Sequence, residues 1–163
     1  MTLDDLNRLP PEGAFAEFIR CCGSTAWAAA MTSARPFDSL HAMQIECDTV
    51  SASLAAGDWL EAFAAHPEIG ETRGGSAWSA GEQSGMRSAD DETKLRLAAL
   101  NEAYRLRFGY IFIVCATGKV PAEMLALLEA RLGNDPGEEL AVAADEQRKI
   151  ARLRLAKLVQ APQ

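Results

Sequence analysis

One glycine-rich stretch, residues 66–86, contains side chains of the types that proton-transfer chemistry uses. It begins with His66, whose imidazole titrates near neutral pH, and it also carries the carboxylate of Glu82. An imidazole that projects into a cavity can serve as a general acid or base. Connections of this length in a compact domain are usually functional or disordered, and we interpret this one as an active-site segment.

The same residues also have a purely structural interpretation. Ser79 and Glu82 match the capping-box pattern S-x-x-E, in which two side chains bond the first amides of a helix. His66 lies where a helix is predicted to end, and the carboxyl end of a helix stabilises a protonated histidine. A helix start also binds anionic or carbonyl groups, so capping and ligand binding by Ser79, Glu82 and the adjacent Gln83 are compatible.

Other kinds of catalytic site lack their sequence patterns. The second histidine is His41, and the chain has no H-x-x-x-H, H-E-x-x-H or Cys/His cluster, so we predict no metal site. The G-x-S-x-G pattern of serine hydrolases and the G-K-[ST] pattern of phosphate loops are also absent. The 4 cysteines show no C-x-x-C spacing, which indicates buried, reduced thiols.

Length and charge indicate one globular domain over residues 1–163. The chain has 163 residues, of which 48% are hydrophobic, so it can bury a substantial core. Its net charge of -7 comes without a long block of one sign, which argues against a nucleic-acid partner. No apolar run approaches the roughly 20 residues that span a bilayer, and no signal peptide is evident. We therefore expect a cytoplasmic protein with no membrane partner.

Helical periodicity dominates the chain and predicts an all-α fold, an irregular single bundle of about eight helices. The predicted helices are a short one from Thr2, one from Pro10-Pro11, one capped by Ser24, one over 38–56, one capped by Asp58, one from Asp90 to Phe108, one from Pro121 to Gly133, and one over 137–159. In the last helix we expect Leu140 and Ala144 to face inward and Glu146 to face water.

Residues 110–116, YIFIVCA, form an apolar and β-branched run that propensity alone assigns to a strand. No second run of comparable quality exists to form a ladder with it, and a lone strand leaves its backbone groups unpaired. We therefore predict one buried apolar segment that is extended or partly helical.

Three motifs follow one another in a fixed order: His66-Pro67, Ser79-x-x-Glu82-Gln83-x-Gly85, and Leu100-Asn101-x-x-Tyr104-x-x-x-Phe108-Gly109-Tyr110-Ile111-Phe112-Ile113. With Arg35-Pro36-Phe37 before them and Glu139-Leu140-x-x-Ala143-Ala144-x-Glu146-Gln147-x-Lys149-Ile150 after them, they resemble the OHCU decarboxylase family. The resemblance covers nearly the whole chain. Each motif is weak alone, but their order and spacing together are specific.

The resemblance implies a cofactor-free, homodimeric enzyme that decarboxylates 2-oxo-4-hydroxy-4-carboxy-5-ureidoimidazoline (OHCU) to (S)-allantoin in urate breakdown. His66 and Glu82 would be the catalytic pair. The substrate site would be lined by Pro67, Ser79 and Gln83 and by backbone groups of Ile111, Ile113 and Cys115. Some family members carry an arginine just after this run. This chain has Thr117 there, and Lys119, two residues later, would take its place in contacting the substrate carboxylate or carbonyl.

The substrate can accept the electrons released with CO₂, so the protein needs only to orient it and to control one proton. His66 would bond the hydroxyl or carboxylate region and Glu82 would control the proton that sets the stereochemistry, or the two roles are reversed. Two other functions remain compatible with the residues. One is a non-enzymatic helical interaction module, and the other is a metal-dependent ureide hydrolase.

Overall fold

The computed structural model describes residues 1–67 and 90–160, and this part of the chain contains eight α-helices and no β-strand. The helices are α1 (Leu3–Arg8), α2 (Pro11–Cys21), α3 (Thr25–Ser33), α4 (Leu40–Ala52), α5 (Ala56–Ala64), α6 (Asp91–Phe108), α7 (Pro121–Arg131) and α8 (Pro136–Leu158). The predicted all-α class is confirmed. Among these helices, none is long and apolar enough to cross a membrane.

Helix starts follow the local capping chemistry of the sequence. Thr2 accepts the amide of Asp5 at 3.1 Å, and the Asp5 carboxylate accepts the amide of Thr2 at 2.9 Å, which completes a capping box. The hydroxyl of Ser24 caps α3 through the amide of Trp27. Pro121 occupies the first position of α7, where no intrahelical amide is needed.

Two predicted boundaries in the first half of the chain are wrong. The helix expected over 38–56 is α4, which begins after the N-cap Ser39 and ends at Ala52. The next helix begins at Ala56, so Asp58 lies in its first turn and is not its N-cap. The Asp58 carboxylate instead reaches back to accept the amide of Ala55 at 2.9 Å, as the acidic residue of a capping box does.

The chain forms two compact units: Met1–Ala62 with Gln147–Gln163, and Phe63–Glu146. In the first unit α2 packs on α3, and α3 packs on α4. The buried Phe18 ring meets Trp27 and Phe37 edge-to-face at 6.1 and 6.4 Å between centroids. The single domain over 1–163 stays a prediction.

Arg35, in the first unit, has a structural role. Its Nη1 donates to the carbonyls of Leu6 at 2.7 Å and Leu9 at 2.8 Å, and its Nε donates to the carbonyl of Thr32. The guanidinium therefore satisfies carbonyl groups at the ends of α1 and α3, which have no partner within their own helices.

In the second unit α6 packs on α7, and their apolar faces enclose the run at 110–116. The buried residues of this core are Leu97, Tyr104, Phe112, Val114, Ala116, Met124 and Leu128. Residues 111–116 form neither helix nor strand, and Phe112 to Ala116 are buried. The predicted buried apolar segment is thus confirmed.

Candidate functional site

His66 lies in the turn that follows α5, within the second unit. Its amide donates to the carbonyl of Phe63 at 3.2 Å, and its side chain is half-buried, as is that of Pro67. Phe63 is itself buried and packs against Tyr110 with 5.0 Å between ring centroids. The turn that carries His66 is therefore anchored to the start of the segment at 110–116.

The other side chains predicted for the glycine-rich stretch are Ser79, Glu82 and Gln83. All three lie outside the described residues, so the His66 and Glu82 pair stays a prediction.

The buried segment presents backbone amides that no described residue bonds. Within the described residues, the amides from Ile111 to Val114 donate no hydrogen bond to another residue. Phe112, Ile113 and Val114 are at most 4% exposed. Buried backbone groups are nearly always paired, so amides in this position call for a bound water or ligand.

Other backbone groups of the segment are bonded by side chains. Arg131 Nη1 donates to the carbonyl of Ile113 at 2.6 Å, and Glu146 accepts the amide of Cys115 at 3.3 Å. Lys119 Nζ donates to the carbonyl of Cys115 at 2.8 Å. Of the residues predicted to meet a ligand through the backbone, Ile111 and Ile113 thus keep an unbonded amide, whereas both groups of Cys115 have a protein partner.

The predicted cation Lys119 lies just after the segment, in a turn. Gly118 adopts φ 78°, a left-handed conformation that glycine reaches without strain, and the Lys119 amide donates to the carbonyl of Ala116 at 3.0 Å. The turn brings the ammonium back to the Cys115 carbonyl. An ammonium has three N–H donors, so two more are available beyond this bond. Thr117 is exposed.

A buried ion pair in this unit was not predicted from the sequence. Glu139 Oε1 lies 2.7 Å from Arg131 Nε and accepts the Tyr104 hydroxyl at 2.5 Å, and Glu139 Oε2 accepts the side-chain amide of Asn134 at 2.9 Å. Burial, followed by the hydrogen bond to Glu139, raises the pKa of Tyr104. Tyr104 therefore remains a hydrogen-bond donor at neutral pH.

A sequence signal for this ion pair existed on α7. Met124, Leu128 and Arg131 recur at spacings of four and three, so the arginine continues the apolar stripe and should be buried with it. Glu139 belongs to the Glu139-Leu140 motif, which contributed to the family resemblance but for which the sequence predicted no role.

Within the described residues, a half-buried histidine follows Phe63, which packs on the start of a segment whose amides at 112–114 are buried and bond no described residue. In an all-helical protein these features define a class: a small helical enzyme or binding protein for a polar small molecule. The profile of the OHCU decarboxylase family matches residues 7–156. The chain belongs to the OHCU decarboxylase family.

Individual relatives agree with this assignment. The chain is 42% identical over 145 residues to the uric acid degradation bifunctional protein TTL of Arabidopsis thaliana, covering 85% of this chain and 45% of that protein. It is 33% identical over 159 residues to the 2-oxo-4-hydroxy-4-carboxy-5-ureidoimidazoline decarboxylase of Amia calva, covering 91% of each. The chain thus spans less than half of the bifunctional relative and nearly all of the decarboxylase.

Among solved structures, a crystal structure of OHCU decarboxylase in the presence of (S)-allantoin matches with a TM-score of 0.77 and 41% identity. The match covers 88% of this chain and 96% of that one.

Proposed function

We propose that this protein is a carboxy-lyase that converts OHCU to (S)-allantoin in urate breakdown, without a metal or an organic cofactor. Membership of the family supports the reaction. The observation that carries the proposal is the row of amides from Ile111 to Val114, buried from Phe112 on, that bond no other residue of the described part of the chain. The substrate has carbonyl and carboxylate oxygens, which accept hydrogen bonds from such amides.

In the proposed reaction the bond between the ring carbon and the carboxylate breaks and CO₂ leaves. The electron pair moves onto the adjacent C=N group of the ring and the carbonyl conjugated with it, which leaves an enol. A proton then adds on one face to the neighbouring carbon that carries the ureido group, and the enol hydroxyl releases its proton to become a carbonyl of allantoin. His66 bonds the hydroxyl or carboxylate region and Glu82 controls the proton, or the two residues exchange these roles. Either assignment requires both side chains at one site.

The remaining contacts follow from position in the chain. Pro67, Ser79 and Gln83 line the substrate site, together with the amides of Ile111 and Ile113. The Cys115 amide is bonded to Glu146 at 3.3 Å, a long distance, so a ligand oxygen can compete for it. Lys119 directs its two remaining donors to a carboxylate or carbonyl of the substrate, in place of the family arginine.

We also propose that the protein is a cytoplasmic homodimer. Leu95 and Leu106 on α6 are 72% and 78% exposed and lie about three helical turns apart on one face. An apolar face of this kind favours burial against a second copy. The cysteines form no disulfide, which suits a reducing compartment.

The proposal is tested by adding the protein to freshly generated OHCU and following the circular dichroism of allantoin, because spontaneous decay yields both enantiomers. We expect an excess of (S)-allantoin with the native chain. His66→Asn and Glu82→Gln should each lower kcat by about 10²–10⁴-fold, the usual contribution of a positioned acid or base.

The matched controls are the same two substitutions made at a histidine and a glutamate outside the predicted site. His41→Asn changes an exposed histidine on α4, and Glu138→Gln changes an exposed carboxylate in the first turn of α8. Both should retain the native rate. Racemic product from the native chain would refute the function, and a near-native rate and (S)-excess in both His66→Asn and Glu82→Gln would refute the catalytic pair.

A further inference from the structure

Charged side chains from two helices hold consecutive peptide groups of the buried segment. Arg131, the last residue of α7, bonds the carbonyl of Ile113, and its guanidinium lies 4.5 Å from the centre of the Phe112 ring. Glu146 of α8 bonds the amide of Cys115. A cation therefore holds one peptide group and an anion holds the next.

Glu139 fixes the guanidinium that holds the Ile113 carbonyl. The side chains of Arg131 and Glu139 are 7% and 0% exposed, so water does not screen the pair. Both carboxylate oxygens are occupied, one by Arg131 and the Tyr104 hydroxyl and the other by Asn134. A planar guanidinium that is bonded in this way is held in one orientation.

Because a peptide unit is planar, fixing its carbonyl also fixes the direction of its amide. The bond between Ile113 and Val114 is trans, so the Ile113 carbonyl and the Val114 amide point in opposite directions. By the same geometry, the Cys115 amide fixes the Val114 carbonyl. Arg131 and Glu146 therefore set the directions of two Val114 groups that bond no other residue of the described chain.

We propose that Arg131 and Glu139 are positioning residues for the decarboxylation. They hold the Ile113 peptide so that the Val114 amide donates to the substrate oxygen on which negative charge develops as CO₂ leaves. This inference rests on the proposed function for the identity of the ligand. Such a donor acts on the transition state because it is already oriented and need not reorganise during the reaction.

Arg131→Met tests this role. It removes the hydrogen bonds to Glu139 and to the Ile113 carbonyl but keeps an unbranched apolar stem. We expect kcat to fall on the order of 10²-fold, as for small displacements of an active-site group, while KM changes much less. The excess of (S)-allantoin should fall too, since a displaced segment holds the substrate less firmly while one face is protonated.

The matched control is Arg152→Met. Arg152 also bonds a carboxylate, that of Asp48 at 2.6 Å, and a backbone carbonyl, that of Gln44 at 3.0 Å, but it belongs to the first unit. It should keep the native kcat and stereochemistry. Equal losses in the two arginine variants would mean that Arg131 acts only through stability, and the proposal would fail.

A milder variant covers the case in which Arg131→Met does not fold. Tyr104→Phe removes one donor to Glu139 and leaves the ion pair in place, so we expect a folded protein with kcat lowered by about three- to tenfold and KM nearly unchanged. A native kcat and a native (S)-excess in Arg131→Met, or in Tyr104→Phe if the former is unfolded, would overturn the proposal.

Hydrogen exchange distinguishes this inference from the proposed function. Whatever reaction the protein catalyses, Arg131→Met should loosen the segment and accelerate exchange of the Cys115 amide, which is bonded to Glu146, relative to the native chain and to Arg152→Met. Racemic allantoin from the native chain would contradict the proposed function but not the hold of Arg131 on the segment. The exchange rates of the native chain and the two arginine variants would then test that hold. Unchanged exchange in Arg131→Met would overturn the hold on the segment.

Discussion

At the scale of single residues, burial decides which nucleophilic side chains can react. Burial raises the pKa of the Cys21 and Cys22 thiols to about 12, and that of Cys47 to about 11, from 9.0. The thiolate is the reactive form of cysteine, so these three side chains are inert at neutral pH. Their interpretation from sequence as buried thiols is confirmed.

The raised pKa values predict that the protein loses stability in alkali. An unfolded chain releases each thiol proton near pH 9.0, whereas the folded chain retains it until pH 11 or 12. This contribution to stability is complete below about pH 9 and is lost as the pH rises through the folded pKa. We expect the free energy of unfolding in urea to fall above pH 9, each thiol contributing about 1.4 kcal/mol per pH unit.

Cys47→Ala isolates one thiol in this measurement. The variant should be less stable at pH 7 because it leaves a cavity, yet its stability should decline less steeply between pH 9 and 11, by about 1.4 kcal/mol per unit. Tyr104 and Tyr110, whose pKa values burial also raises, titrate in both proteins and cancel in the comparison. Parallel curves would contradict the prediction.

At the scale of elements, the ends of helices could be predicted more reliably than their faces. A cap such as Ser24 and a first-turn proline such as Pro121 act on the nearest amides, so neighbouring sequence is sufficient to identify them. The boundary at Asp58 was wrong because the same carboxylate can cap from the N-cap or from the first turn.

The inward face of α8 shows why the buried face of a helix is harder to predict than its ends. Glu146 was predicted to face water, but it is 9% exposed, and Glu139 is fully buried. Charged residues face water unless a buried partner satisfies them. Their partners, Arg131 and the Cys115 amide, come from α7 and from the buried segment, and hydrophobic periodicity within α8 carries no information about either.

Gly109 provides a test of an element boundary. It ends α6 with φ 84°, and a Cβ added there would meet nothing within 4 Å. Gly109→Ala therefore introduces backbone strain without a clash, and we expect a loss of about 1–2 kcal/mol in the free energy of unfolding.

Gly57→Ala is the matched control for this measurement. Gly57 lies in the first turn of α5 and also has open space around its Cβ position, but its φ is not left-handed. The substitution there should stabilise the protein by about 0.4–1 kcal/mol, because it restricts the unfolded chain. Urea titrations of the two variants should thus shift in opposite directions, and shifts of the same sign would contradict the proposed strain at Gly109.

At the scale of the whole molecule, the candidate site depends on contacts between distant parts of the chain. The segment at 110–116 could be predicted to be buried because the sequence offers no partner strand. The unbonded amides of that segment could not be predicted, since hydrophobic patterning does not show where a backbone amide finds an acceptor; nor does it show that Arg131 and Lys119 reach carbonyls of the segment. The family resemblance supplied His66 and Glu82 as a pair, which hydrophobic patterning does not identify.

The proposed homodimer makes a prediction about the outward face of α6. Leu95→Glu combined with Leu106→Glu places two carboxylates on a face that would otherwise be buried between copies, where desolvation strongly disfavours charge. In sedimentation or light scattering, we expect the native chain to have twice the chain mass and the double variant to have the mass of one chain.

The control for this prediction is Ile45→Glu, which changes an apolar side chain on α4 that is 50% exposed. This variant should remain dimeric, because a charge on a face that stays in water costs little. Far-ultraviolet circular dichroism of all three proteins should be alike, since both leucines project into solvent and contribute little to the core. A native chain with the mass of one copy would refute the dimer. If the double variant stays dimeric, the dimer interface does not include this face of α6.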